Sequence, residues 1–111
     1  MTDKVAIVGA GLVGRAWAIS FARGGHSVML FDADDKAVAS ALGTVESMLR
    51  MLELKGMLKG QTAADVRSRI TGAGSLEIAL AGAAHVQENV PEDLRVKREM
   101  RRHGVGLSTS I

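Results

Sequence analysis

The 111-residue chain contains no cysteine and no tyrosine, and its aromatic side chains are limited to Trp17, Phe21 and Phe31. Without cysteine there is no disulfide, no thiolate metal site and no cysteine nucleophile. Because aromatic residues are so few, the core must be aliphatic, and a stacking surface for single-stranded nucleic acid is nearly excluded. The absence of thiols suits a reducing compartment, and we expect a cytoplasmic protein.

Long hydrophobic runs are also missing. A membrane span needs about 18 consecutive apolar residues, and no such run exists. Glycines interrupt the first apolar run, 5–13, and no small-residue cleavage site follows, so no signal peptide is predicted. The net charge of +2 is too small to indicate a polyanionic partner. The remaining composition, 47% hydrophobic and 23% charged, is typical of one soluble globular domain.

Apolar runs and helical patterns alternate in the first half of the chain. The run 5–8 predicts a buried parallel strand. Apolar residues at Val13, Trp17 and Phe21 predict a helix over 12–23, which Gly24-Gly25 ends. A second strand is expected at 27–31, followed by a long helix capped by Asp34 or Asp35. The inward stripe expected for the long helix is Val38, Leu42, Val45, Leu49 and Leu52.

Shorter elements are predicted beyond the long helix. A capping box over Thr62–Asp65 starts a short helix through Val66 and Arg69. The remaining predicted elements are a strand at 70–72, a helix at 76–81, a strand at 84–89 and a helix from Pro91 to Met100. Met48, Met51 and Met57 are interpreted as packing on the sheet or on a neighbouring element.

Alternating strands and helices predict an α/β fold with a Rossmann-like parallel sheet and helices on both faces. The segment Gly9-Ala10-Gly11-Leu12-Val13-Gly14 joins the first strand to the first helix. Gly9 suits a tight turn, Gly11 the close approach of a pyrophosphate, and Gly14 close packing of the helix on the sheet. The N–H groups at the start of the helix, at Leu12 and Val13, then face the phosphates.

Asp32 follows Gly14 by 18 residues and ends the second strand. A carboxylate there accepts hydrogen bonds from the adenosine ribose hydroxyls and repels a 2′-phosphate, which favours NAD over NADP. Three other interpretations stay open: a simple glycine turn with Asp32 as the cap of the second helix, an FAD protein, and a methyltransferase.

With "HVQENVPEDLRVK" at 85–97, the chain resembles the NAD-binding domain of the 3-hydroxyacyl-coenzyme A dehydrogenase family, in its lambda-crystallin and L-gulonate 3-dehydrogenase branch. The most specific string is "ENVPEDL", and the resemblance extends from Val5 to about Met100. It implies that Glu92 and Lys97 lie near the nicotinamide-side ribose and phosphates.

The resemblance also implies parts that this sequence does not contain: a catalytic histidine in a His-Phe-Phe-Asn-Pro-like motif, and a helical domain that binds substrate and dimerises. We therefore expect a sheet incomplete at the C-terminus, an NAD-binding domain at 1–100 and an atypical tail at 101–111. No catalytic residue and no metal site is assigned. His26, His85 and His103 are not expected to act as bases. "LSTSI" at the end is either a shortened relic of the family's serine-rich segment or an unrelated tail.

Two functional hypotheses follow. In the first, the chain is the NAD-binding domain of a 3-hydroxyacyl-CoA or L-gulonate-like 3-hydroxy-acid dehydrogenase. The resemblance to the family also implies a role in fatty acid metabolism. The chain would then be inactive alone and would bind its small-molecule substrate only together with the missing domain. The resemblance also implies a homo-oligomer. In the second, it is a non-catalytic NAD-binding or partner-binding module. The basic residues of 95–103 are interleaved with acidic ones, so a solvated helix is favoured over a nucleic-acid site, and no membrane partner is expected.

Overall fold

Strands and helices alternate along the chain in the predicted order. The computed structural model describes residues 3–88, 98–99, 101–102 and 108–109. The elements are β1 (Lys4–Val8), α1 (Leu12–Arg23), β2 (Ser27–Phe31), α2 (Asp35–Leu54), α3 (Ala63–Arg67), β3 (Ile70–Gly72), α4 (Leu76–Leu80), β4 (His85–Glu88) and β5 (Ser108–Thr109).

The described strands form one sheet in the order β3-β2-β1-β4-β5, and each strand is parallel to its neighbours. The chain moves from β1 to β2 and β3 in one direction and then returns past β1 to β4. This reversal places a crevice at the carboxyl ends of β1 and β4, where ligands bind in open α/β sheets. The predicted Rossmann-like parallel sheet is confirmed.

Helices cover both faces of the sheet. Val5 and Ile7 of β1 point into a core that includes residues of α1, α2 and α3, whereas Ala6 and Val8 point into a second core with α4. Both cores are almost entirely aliphatic, as the scarcity of aromatic residues requires. A strand buried on both faces reads as a continuous apolar run, which is why β1 and β2 were recognisable in the sequence.

Helix α1 is buried through three small residues and Ile19, and not through the predicted stripe of Val13, Trp17 and Phe21. Its buried residues are Gly14, Ala18, Ile19 and Ala22, while Trp17 and Phe21 are only partly buried. Val13 is 49% exposed. Small side chains on the inward line let the helix backbone approach the sheet closely, and the larger residues then lie at its flank.

Asp34 caps α2, since its side chain accepts a hydrogen bond from the Lys36 N–H at 3.0 Å. The inward stripe is close to the predicted one, with Ala41 buried in addition. Met48, Met51 and Met57 are 40%, 57% and 47% exposed, so within the described residues they do not pack on the sheet. The buried line of α2 follows a four-residue spacing through 41, 45 and 49, which leaves Met48 and Met51 outside it.

Both sides of the predicted capping box at Thr62 and Asp65 are present, but α3 ends at Arg67, two residues earlier than expected. β4 is described over 85–88, and the predicted helix from Pro91 lies outside the described residues except at 98–99 and 101–102, which are helical. β5 pairs with Gln87 and Glu88, so the sheet edge beside these two residues is occupied. Within the described ranges, no helix is long and apolar enough to cross a membrane.

Candidate nucleotide-binding site

The glycine turn begins where β1 ends. Gly9 has a φ of +105°, a region that side chains with a Cβ rarely adopt. Its N–H donates a 2.8 Å hydrogen bond to the carbonyl oxygen of Phe31, at the end of the neighbouring strand. The turn therefore starts from a backbone position that only glycine occupies without strain, and Ala10 after it is completely buried.

The N-terminus of α1 is open. Gly11 is the N-cap, with no side-chain cap and no acidic residue in the first turn. By contrast, the side chains of Asp34, Thr62 and Ser75 cap α2, α3 and α4. A Cβ added at Gly11 would have no atom within 4 Å. Because the first N–H groups of a helix have no intrahelical partner, they are available here to an anionic ligand.

The other predicted positions of the motif lie around this opening. Leu12 is 83% exposed and Val13 is 49% exposed, so their backbone lies at the surface in the first turn of α1. Gly14 is buried against the sheet, as close helix packing requires.

Asp32 reaches the glycine turn from the end of β2. Its Oδ2 accepts a 2.8 Å hydrogen bond from the N–H of Ala10, and its Oδ1 accepts one of 2.9 Å from the N–H of Asp34. The N-cap of α2 is Asp34, not Asp32. These two bonds hold the turn in place. Because an ionised carboxylate has about four lone-pair positions, Asp32 retains acceptor capacity for ribose hydroxyls.

A cleft of about 260 Å³ lies beside Asp32, between the end of β2 and the start of α4. The carboxylates of Asp32, Asp35 and Glu77 line it. Three acidic side chains disfavour a further negative charge by direct repulsion. This electrostatic environment suits an unphosphorylated ribose and opposes the 2′-phosphate of NADP.

Arg15 and Thr44 contribute to this site, although sequence reasoning missed both. The Nε of Arg15 donates to the carbonyl oxygen of Ala10 at 3.0 Å, and its Nη1 donates to Thr44 Oγ1 at 3.1 Å. A cation in the first turn of a helix is disfavoured by the helix dipole. That unfavourable placement was the available signal that Arg15 has a specific partner; nothing local marks Thr44.

Glu88 is a third residue at this edge that the sequence analysis did not single out. It ends β4 in register with Val8, which directly precedes the glycine turn, and it is only 3% exposed. A buried carboxylate at the carboxyl edge of the sheet is uncommon without a partner, and Glu88 does make a polar contact.

The histidines of the described ranges do not lie at this edge. His26 follows α1 directly before β2, and His85 begins β4 opposite Val5, so both lie at the amino ends of strands. The His85 ring contacts Phe21, and its Nε2 lies 3.2 Å from Gln87 Oε1. Glu92, Lys97 and His103 lie outside the described residues.

A reversing parallel sheet, a glycine turn, an uncapped helix and an acidic residue after the second strand together define a dinucleotide-binding domain of the Rossmann class. Residues 4–104 match the family described as 3-hydroxyacyl-CoA dehydrogenase, NAD binding domain. The chain belongs to this family, whose members are NAD-dependent dehydrogenases.

Individual relatives agree with this assignment. The chain is 47% identical to a lambda-crystallin homolog of Bos taurus over 97 residues, which cover 86% of this chain and 30% of the relative. It is 33% identical to an L-carnitine dehydrogenase of Streptomyces griseus, over 87% of this chain and 28% of the relative. The fold is similar to a crystal structure of (S)-3-hydroxybutyryl-CoA dehydrogenase from Ralstonia eutropha, with a TM-score of 0.75, 31% identity, and coverage of 96% of this chain and 38% of that one.

Proposed function

We propose that this chain binds NAD as the cofactor domain of a dehydrogenase that oxidises a small 3-hydroxy acid. The observation that carries the proposal is the open N-terminus of α1, which Asp32 flanks from β2 through its 2.8 Å bond with Ala10. In the bound state, the N–H groups of Leu12 and Val13 receive the pyrophosphate, and Asp32 accepts hydrogen bonds from the adenosine ribose.

The chain spans about 30% of the length of the lambda-crystallin homolog that it resembles. Bound NAD supplies the hydride acceptor for oxidation of an alcohol, and a base must take the hydroxyl proton. Neither histidine of the described ranges lies at the carboxyl edge of the sheet, where the cofactor would bind. We therefore place the base in the part of the relatives that this chain does not match, and we expect Glu92 and Lys97 to approach the nicotinamide-side ribose.

The preference for a small hydroxy acid rests on two resemblances. The string "ENVPEDL" resembles the L-gulonate 3-dehydrogenase branch of the family. The chain is also 33% identical to an L-carnitine dehydrogenase, and L-carnitine is itself a 3-hydroxy acid. A coenzyme A thioester is the alternative substrate of the same site.

Calorimetric titration of the purified chain with NAD and with NADP tests the proposal. We expect NAD to bind more tightly than NADP. Asp32→Ala should weaken NAD binding by about tenfold, because hydrogen bonds to a charged acceptor are lost. Glu46→Ala is the control, since it removes an exposed carboxylate of α2 that does not line this cleft. A folded sample that binds no NAD would contradict the proposal.

A further inference from the structure

The peptide units on both sides of Ala10 are held by charged side chains. The N–H of Ala10 donates to Asp32 Oδ2 at 2.8 Å, and its carbonyl oxygen accepts from Arg15 Nε at 3.0 Å. Ala10 is completely buried, so neither its N–H nor its carbonyl oxygen is exposed to solvent. Hydrogen bonds with an ionised partner are stronger than neutral ones. Two such bonds fix the orientation of the peptide units on both sides of Ala10.

Arg15 also reaches a second element. Its Nη1 donates to Thr44 Oγ1 at 3.1 Å, in the middle of α2 and 29 residues away along the chain. Asp32 meanwhile accepts from the N–H of Asp34, the N-cap of α2, at 2.9 Å. The glycine turn is thereby connected to α2 at two places, the start of the helix and its middle.

The bond to the Ala10 carbonyl bears directly on the phosphate site. That carbonyl and the N–H of Gly11 belong to one planar peptide unit, in which the two groups point in opposite directions. When Arg15 holds the oxygen, it also sets the direction of the Gly11 N–H. Gly11 is the N-cap of α1, with open space where a Cβ would lie.

We infer that Arg15, braced by Thr44, is a positioning residue that presets the Gly11 peptide for the pyrophosphate of the cofactor. The inference rests on the proposed function, because it names how that same site is preorganised. Arg15 acts through the backbone: its Nε and Nη1 donors are engaged by Ala10 and Thr44. Its guanidinium geometry therefore matters in addition to its charge, since an ammonium does not reproduce two diverging planar donors.

The test compares ADP-ribose with adenosine, which lacks phosphates, in titrations of the 111-residue chain. Arg15→Lys keeps the charge, and we expect it to weaken ADP-ribose binding by about tenfold. The same change should leave adenosine binding within about twofold, because adenosine contacts the Asp32 side of the site alone. Thr44→Val should produce a smaller loss of the same kind, a few-fold in ADP-ribose affinity.

Two matched controls separate positioning from general destabilisation. Arg50→Lys makes the same substitution at an exposed position of α2, and Thr71→Val repeats the threonine change at an exposed position of β3. Neither should alter either affinity. An unchanged ADP-ribose affinity in Arg15→Lys, or an equal loss for ADP-ribose and adenosine, would overturn the inference. If Arg15→Lys does not fold, the ratio of the two affinities in Thr44→Val decides.

A second readout does not depend on binding. Amide hydrogen exchange at Ala10, whose N–H is bonded to Asp32, should accelerate in Arg15→Lys relative to Ile7, a fully buried residue of β1. Exchange at Ala10 that matches wild type would overturn the inference, because Arg15 would then not fix this part of the turn. If the wild-type chain binds no ADP-ribose, the proposed function fails, and the exchange result then reports only whether Arg15 fixes the glycine turn.

Discussion

Gly11 separates the requirements of folding from those of binding. Its φ of −75° is accessible to every residue, and a Cβ there would contact no protein atom within 4 Å. Gly9 differs, because its φ of +105° strains any other residue. The backbone turn therefore requires glycine at position 9. At position 11, glycine is required only for the approach of the cofactor pyrophosphate.

Gly11→Ala should lower the free energy of unfolding by only about 1 kcal/mol, because alanine is the poorer N-cap but the added methyl group meets no protein atom within 4 Å. The same substitution should weaken NAD binding by at least about tenfold, because the methyl group occupies the approach of the pyrophosphate. Urea denaturation and calorimetry measure the two effects. Gly9→Ala is the comparison, with an expected loss of about 1–3 kcal/mol in stability. Wild-type NAD affinity in Gly11→Ala would contradict the assignment of this position.

Lys4 connects the first strand to the end of α4. Its Nζ donates to the carbonyl oxygens of Ile78 and Ala81 at 2.9 and 2.6 Å, and burial lowers the pKa of its ammonium below the ordinary 10.5. Between the lowered pKa and 10.5, the unfolded chain binds more protons than the folded chain. The contribution of Lys4 to stability is therefore present above pH 10.5 and is lost as the pH falls through the lowered pKa.

The comparison of wild type with Lys4→Met tests this direction. The free energy of unfolding of the wild type should rise relative to that of Lys4→Met as the pH rises through the window just below 10.5. Only the wild type carries the titrating group. Urea denaturation at a series of pH values measures it. A difference that shrinks over that window would mean that the bonds to the carbonyl oxygens outweigh the desolvation of the ammonium.

Helix α2 and strand β3 show how closely two elements approach. A Cβ built at Gly72 would lie 2.9 Å from Val38 Cγ1 and 3.4 Å from Leu42 Cδ1. These β-branched and branched side chains have little freedom to withdraw in a packed core. Gly43 lies within the same helix, where a Cβ would meet nothing within 4 Å.

Gly72→Ala should destabilise the protein by about 1–3 kcal/mol through overpacking. Gly43→Ala should instead stabilise it by about 1 kcal/mol, because alanine has the higher helix propensity. Denaturant midpoints with unchanged slopes report both effects. A destabilised Gly43→Ala variant, or an unaffected Gly72→Ala variant, would show that β3 and α2 do not pack in this arrangement.

The molecule as a whole separates the two edges of its sheet. The glycine turn, Asp32 and Glu88 lie at the carboxyl edge, whereas His26 and His85 lie at the amino edge. Parallel strands bring all their carboxyl ends together, so the chemistry of a bound cofactor is confined to one side. The histidines of the described ranges are thus separated from that side by the length of the strands.

We expect no NADH formation by the 111-residue chain with L-gulonate, L-carnitine or 3-hydroxybutyryl-CoA, because the residues that the structure describes place no histidine base beside the cofactor. Absorbance of reduced nicotinamide measures this outcome. His85→Ala and His26→Ala are the controls: turnover in wild type that either substitution abolishes would contradict the assignment of both residues to the amino edge.

Local signals carried most of the fold prediction. Uninterrupted apolar runs identified β1 and β2, the capping box at Thr62 identified the start of α3, and Gly24-Gly25 identified the end of α1. The less accurate predictions concerned orientation. Trp17 was placed on an apolar stripe and the methionines of α2 in a packed interface, since helical spacing shows which residues share a face but not how deeply a neighbouring element covers it.

The sequence by itself determined the alternation of elements, the glycine motif and the acidic residue after β2, because these depend on residues close together along the chain. Only the tertiary structure decided that Asp32 holds Ala10, across 22 residues, and that Arg15 reaches Thr44, across 29. The order of strands in a sheet sets such contacts, and side-chain type alone does not encode them. For the same reason, the carboxyl-edge position of Glu88 became evident only once β4 was paired with β1.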